Sequence, residues 1–180
     1  GLILSGEKGY YDRFRNRIMF SLINERGKTC AFAGRGIDPD DPAKYMNSPE
    51  SPIYHKSSFL YGIQQAKDAI QKQNIVLLVE GYLDFLQLYQ SGFDYTVALS
   101  GTAFTLQHAQ KLRRYTENIY LVFDGDNAGI KAAIRSGYIL LLQGIQPKII
   151  TLPQNLDPDD MMVKGRQAEF QELINHAEDL

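Results

Sequence analysis

A single cysteine, Cys30, stands in the whole chain, which excludes an intrachain disulfide and a cysteine-rich zinc site. One free thiol is compatible with a reducing compartment, and a cytoplasmic location is the expectation. The three histidines, His55, His108 and His176, show no metal-ligand spacing. No apolar run approaches the roughly 18 residues that a membrane helix needs, and no basic-then-apolar leader opens the sequence. No membrane partner is therefore expected. The chain opens on Gly1 instead of Met, which reads as a trimmed or excised fragment. The signatures GxxxxGK followed by Ser or Thr, GxGxxG, HExxH and GxSxG are all missing, so the common nucleotide, metalloprotease and hydrolase motifs do not apply. Strong charge is missing as well. The net charge of -2 divides into +2 over residues 1–60 and -4 over residues 61–180. A strongly basic footprint is the usual mark of nucleic-acid binding, so the overall charge neither supports nor opposes such a partner.

What is present is a core of ordinary size. Hydrophobic residues make up 44% of 180 positions, enough for one medium domain or two small ones. Residues 17–36 read as a strand pair, RIMFSLIN and TCAFAGR, joined by the turn ERGK. Residues 37–58, rich in Pro, Asp, Ser and Asn, read as loop. Residues 59–72 carry Leu60, Ile63, Ala66 and Ile70 at helical spacing. From residue 74 strands alternate with helices: strands at 75–79, 95–99, 119–123 and 148–152, helices at 82–90, about 105–115, about 128–142 and about 158–178. Alternation of this length predicts parallel pairing through crossover connections. The near-continuous Val, Ile and Leu of the strands predicts burial on both faces. The fold class is α/β (α+β over the whole chain), with a boundary near residues 70–74.

Acids sit at the carboxyl ends of these strands, where sites form in open parallel sheets. Glu80 and Asp84 follow IVLLV, Asp124 and Asp126 follow IYLVF, and Asp157, Asp159 and Asp160 follow KIITL and a short loop. Magnesium takes oxygen ligands and leaves positions for water and substrate phosphates, so three such strand ends point to phosphoryl or nucleotidyl transfer. Each cluster also has a plain structural reading. Glu80 and Asp84 suit the positive end of a helix dipole. Asp126 or Asn127 suits an N-cap, and Asp157-Pro158-Asp159-Asp160 is an ordinary helix opening. The tetrapeptide DPDD recurs at 38–41, where Pro42 follows and a turn is predicted. A calcium loop over DGDNAG fails, because loop positions 5 and 12 are Ala128 and Arg135. Ser100-Gly101-Thr102, after VAL, reads as a phosphate-contacting turn or a helix cap.

The first third carries the cations. Arg13, Arg15 and Arg17 alternate and would share one face of an extended chain. Arg35 lies between two glycines, and Lys44 and Lys56 flank a polar stretch. Opposite a carboxylate site such groups suit phosphate; otherwise they are a solvated strand face.

Taken together, EGYLD (80–84), VALSGTAFT (97–105), FDGDNAG (123–129) and LDPDD (156–160) resemble the Toprim fold of bacterial DnaG-type primases. YDRFRNRIMF (11–20), AFAGR (31–35) and KYMNSPESPIYHKSSFLYG (44–62) resemble the basic subdomain that precedes it. The resemblance implies a Toprim fold, with a central, mostly parallel four-stranded sheet flanked by helices over residues 73–180. A small basic α+β subdomain would precede it over residues 1–72. It implies catalytic roles for Glu80, Asp124 and Asp126. It implies metal binding by these three with Asp84, Asp157 and Asp159, and nucleotide or template binding by Arg13, Arg15, Arg35, Lys44, Tyr45 and Lys56. Mg²⁺ or Mn²⁺, two or more ions, would be the cofactor, with zinc only in a separate N-terminal domain. The implied partners are single-stranded DNA, ribonucleoside triphosphates and, through a separate C-terminal domain, the replicative helicase; a monomer is expected. The competing readings are a Toprim nuclease using the same acids, a topoisomerase, and a fragment that binds nucleotide but is inactive alone.

Overall fold

The computed structural model describes residues 2–180, which divide into two compact units parting between Lys56 and Ser57. The first unit opens with a hairpin, β1 (Ile3–Gly6) and β2 (Gly9–Asp12). A three-stranded antiparallel sheet follows, β3 (Arg17–Ile23), β4 (Thr29–Gly36) and β5 (Tyr45–Asn47), in that spatial order. Along β3 and β4 the residues alternate, with Phe20, Leu22, Ala31 and Ala33 buried and Met19 and Ser21 exposed. One face of this sheet is covered and the other is open, as antiparallel sheets allow. β5 lies inside the stretch that the sequence marks as loop; Arg35 pairs with Tyr45 across the ladder, so the segment is held by β4 despite its composition.

The second unit begins with helix α1 (Ile63–Gln73), which buries Ile63, Ala66 and Ile70. Beyond it the chain runs β6 (Val76–Val79), α2 (Tyr82–Gln90), β7 (Thr96–Ala98), α3 (Leu106–Leu112), β8 (Ile119–Leu121) and α4 (Asn127–Leu141). It closes with β9 (Lys148–Ile149), α5 (Pro158–Val163), α6 (Gln167–Asn175) and β10 (Glu178–Asp179). The sheet order is β10-β9-β8-β6-β7. Its three parallel pairings follow the alternation of strands and helices, joining β6, β7, β8 and β9, and β10 is an antiparallel edge. Val76 to Val79 are all 0% exposed, so β6 is covered on both faces.

The single closing helix expected over 158–178 is two helices and a strand. Gly165 takes a left-handed φ of 69° after Lys164 and ends α5, and residues 178–179 pair with β9 instead of continuing α6. No helix among the described residues is long and apolar enough to cross a membrane.

Candidate metal and phosphate site

The chain leaves β6 toward β7 on one side and returns through α3 to β8 on the other side of β6. That reversal makes the crevice between the ends of β6 and β8 a topological switch point, the place where open parallel sheets bind ligands. Leu78 pairs with Leu121, and Val122 N–H donates to Leu78 O at 2.9 Å, so Glu80 and Asp124 leave the sheet side by side.

Glu80 is half-buried. The Asp124 backbone amide donates to its carboxylate, yet Oε1 is buried with no hydrogen-bond partner. Burial, and then the charges of Asp124 and Asp126, raise its pKa above the usual carboxylate range. Asp84, one turn into α2, is 9% exposed. Its Oδ2 accepts from Gly81 N–H at 2.9 Å, the carboxylate half of a capping box. Its Oδ1 accepts from Asp159 N–H at 3.3 Å and so ties α2 to the start of α5. Burial, followed by Asp124 and Asp157, pushes the Asp84 pKa up to about 7.

The turn after β8 is locked against the loop before α5. Gly125 N–H donates to Leu156 O at 2.9 Å, and a Cβ on Gly125 would lie 2.4 Å from Pro153 O. A Cβ on Gly129 would lie 2.3 Å from Asp124 O. Only glycine lets these backbones come so close, and the approach is what draws the second and third acidic strand ends together. Asp126 Oδ1 accepts from Ala128 and Gly129 N–H at 2.8 and 2.7 Å as the N-cap of α4. Asp157 Oδ1 accepts from Asp160 N–H at 2.6 Å as the N-cap of α5. The capping interpretation of these two acids is therefore correct, and capping engages one oxygen of each. Asp160 pairs with Lys164 at 3.1 Å.

Among the described residues no three His, Cys, Asp or Glu side chains converge into a ready-made metal cage. Divalent-metal dependence is nonetheless what the donor set fits. Glu80 offers an unpartnered buried oxygen, and its charge is opposed by Asp124 and Asp126. A cation between close carboxylates removes that repulsion. Glu80, Asp124 and Asp126 would hold such an ion, with Asp84, Asp157 and Asp159 around them.

The first unit holds the cations less uniformly than an alternating strand would. Residues 13–16 join β2 to β3, and Asn16 takes φ 52°, so Arg13, Arg15 and Arg17 do not share one strand face. Arg17 turns inward, pairs with Asp41 at 2.5 Å and donates to Ala43 O at 2.6 Å. Arg13 donates to Asn47 O at 3.2 Å and keeps a buried Nε without a partner. Arg15 lies 5.2 Å from the Tyr11 ring, and Arg35 lies 5.6 Å from the Tyr45 ring. Lys44 is exposed; the Lys56 amide donates to Glu50 at 2.9 Å. Among the histidines, His108 is fully buried: Nδ1 accepts from Thr105 N–H and Nε2 donates to Phe59 O, a structural role.

Two features escape the sequence reading. Arg135 faces the same cavity as Glu80, with Ala132, Ser136 and Ile139 at helical spacing along α4, a periodicity that was legible. Ser100 takes a left-handed φ of 61°, which no local signal announces.

Residues 1–67 match the family described as DNA primase catalytic core, N-terminal domain, and residues 77–162 match the Toprim-like family. The chain belongs to the DnaG-type primase family. It is 43% identical over 164 residues to a DNA primase of Halalkalibacterium halodurans, covering 91% of this chain and 27% of that protein. It superposes on the zinc-binding and RNA polymerase domains of Aquifex aeolicus primase with a TM-score of 0.93 at 36% identity, over 99% of this chain and 45% of that one. A DnaG primase catalytic domain bound to ssDNA gives a TM-score of 0.90 at 38% identity, over 99% of this chain and 56% of that one. The chain thus spans under a third of the curated relative's length.

Proposed function

We propose that the chain carries DNA-templated synthesis of short RNA by metal-dependent nucleotidyl transfer. The observation that supports it most directly is the unpartnered, buried Glu80 oxygen at the switch point, beside Asp124. A growing strand's 3′-oxygen would attack the α-phosphorus of a ribonucleoside triphosphate. One P–O bond forms, the α–β bridging bond breaks, and pyrophosphate leaves. Glu80, beside the reacting atoms, receives the hydroxyl proton. Mg²⁺ or Mn²⁺, when bound, supplies positive charge for the entering and leaving oxygens. Asp84 orients the site by holding the first turns of α2 and α5. In the first unit Arg13, Arg15, Arg35, Lys44, Tyr45 and Lys56 bind template and nucleotide phosphates, Arg through its planar fork. A single-stranded DNA template is the partner, by analogy with the DnaG catalytic domain bound to ssDNA. Contact with a replicative helicase would run through a separate domain.

The test is to incubate the chain with single-stranded DNA, labelled ribonucleotides and Mg²⁺ or Mn²⁺. Short template-dependent RNA, lost in Glu80→Ala with the circular dichroism unchanged, is the expected result. Degraded DNA in place of RNA would move the assignment to a Toprim nuclease, and full synthesis by both Glu80→Ala and Asp124→Ala would sink the metal site.

A further inference from the structure

A cavity of about 370 Å³ opens between Glu80, the turn that follows β7 and one face of α4. Its lining is unlike that of the acidic cluster. None of Asp84, Asp124, Asp126, Asp157 or Asp159 reaches it; Glu80 is its sole carboxylate and Arg135 its sole cation. The rest is apolar or small, with Leu99, Phe104, Phe123 and Ile139 forming the floor. The turn is folded back by left-handed Ser100 and Gly101, φ 61° and 79°, and Ser100 N–H donates to Glu80 O at 3.0 Å. Strained backbone of this kind persists where the surroundings over-determine it, commonly beside ligands. Arg135 is exposed at the cavity and has no ion pair or hydrogen bond among the described residues.

Glu80 therefore has two neighbourhoods. Toward Asp124 and Asp126 it meets acids that suit metal-bound phosphates; toward the turn after β7 and the face of α4 it meets an apolar hollow with one guanidinium. Displacement at phosphorus places the entering and leaving oxygens roughly in line, on opposite sides. If the leaving pyrophosphate belongs with the acids, the entering hydroxyl belongs in the hollow. We propose that this cavity seats the 3′-terminal nucleotide of the growing RNA strand, with Arg135 gripping its phosphodiester and Glu80 facing its 3′-hydroxyl. The inference rests on the nucleotidyl-transfer reading given above. It fits the chemistry of the lining: apolar walls for ribose and base, and a planar fork for two phosphate oxygens.

The experiment uses a short RNA primer annealed to DNA, with a photoreactive thiouracil at its 3′ end. Irradiation reports occupancy without turnover, and the adduct is expected on peptides containing residues 99–104 or 132–139. In steady-state extension, Arg135→Gln is expected to raise the primer KM roughly tenfold, the value of one charge-assisted contact. The nucleotide KM stays unchanged, and Arg135→Lys recovers part of the loss. An adduct elsewhere with normal extension overturns the assignment while leaving primer synthesis standing. So does a raised nucleotide KM with an unchanged primer KM, which would hand Arg135 to the triphosphate. Neither extension nor crosslinking by the wild-type chain would overturn both readings together.

Discussion

The two units solve the problem of presenting charge in opposite ways. In the first, antiparallel strands leave one face open, and Arg15 and Lys44 stand in solvent, Arg15 resting on the Tyr11 ring. In the second, the central parallel strands are buried on both faces, and the carboxylates of the site stand where those strands stop. The first arrangement gives cations reach and freedom, which suits a flexible polyanion. The second gives carboxylates fixed separations in a poorly solvated crevice, at the cost of raised pKa values for Glu80 and Asp84. Such perturbed acids in a cleft are where chemistry is expected. A substitution at the strand ends should therefore propagate, whereas one on the basic face should stay local.

The sharpest test of that contrast is Gly125→Ala. The new Cβ would meet the carbonyl oxygens of Pro153, Leu152 and Leu156 at 2.4, 3.1 and 3.2 Å, all backbone atoms that cannot swing aside. Overpacking of this kind costs about 1–3 kcal/mol. A Tm lower by roughly 2–12 °C is expected in a scanning calorimeter, together with near-complete loss of RNA synthesis as the two acidic turns separate. A variant with the wild-type Tm and full activity would show that the turn is not clamped to the loop before α5.

The next effect concerns pH. In the folded state Asp84 keeps its proton up to about 7, from a reference value of 3.8. Between those values the folded chain binds a proton that the unfolded chain has lost, so stability falls as pH rises and levels off above about 7. The slope contributed by one such group is at most about 1.4 kcal/mol per pH unit. Glu80 shifts in the same direction and adds to the fall. Asp84→Asn cannot ionise, so urea unfolding between pH 4 and 8 should show a flatter profile for the variant. Parallel wild-type and variant profiles would remove Asp84 as the source.

Much of this was legible in the sequence. The helix over 82–90 coincides with α2, because Gly81 precedes it and apolar residues recur at helical spacing. Three acidic strand ends were visible because apolar runs stop at Glu80 and Asp124 and a shorter one, KIITL, leads through a brief loop to Asp157. What local patterns could not carry was whatever depends on contacts between distant segments. β5 exists because Arg35 and Tyr45 pair across a ladder, and Asp84 matters because Asp159, 75 residues away, donates to it. Arg17 illustrates the same limit: alternation with Arg13 and Arg15 suggested a common face, but Asp41 draws it inward.

The smallest effects belong to the basic face. Arg15 touches only Tyr11 among the described contacts, so Arg15→Ala should change stability by no more than about 0.5 kcal/mol. Its contribution is to long-range attraction. A phosphate contact on a single strand lowers the salt slope of log binding by about 0.7 when removed. Single-stranded DNA affinity, measured by fluorescence anisotropy from low to moderate salt, should fall a few-fold in the variant at low salt and converge on the wild type as salt rises. The kcat at saturating template should be unchanged. Arg35→Ala goes slightly further, because the Arg35 guanidinium also stacks on Tyr45 and donates to its hydroxyl at 3.3 Å, an exposed contact worth about 0.5–1 kcal/mol. A fall in kcat for Arg15→Ala as deep as that of Glu80→Ala would break the contrast between the units, since a solvated arginine would then act on the chemical step itself.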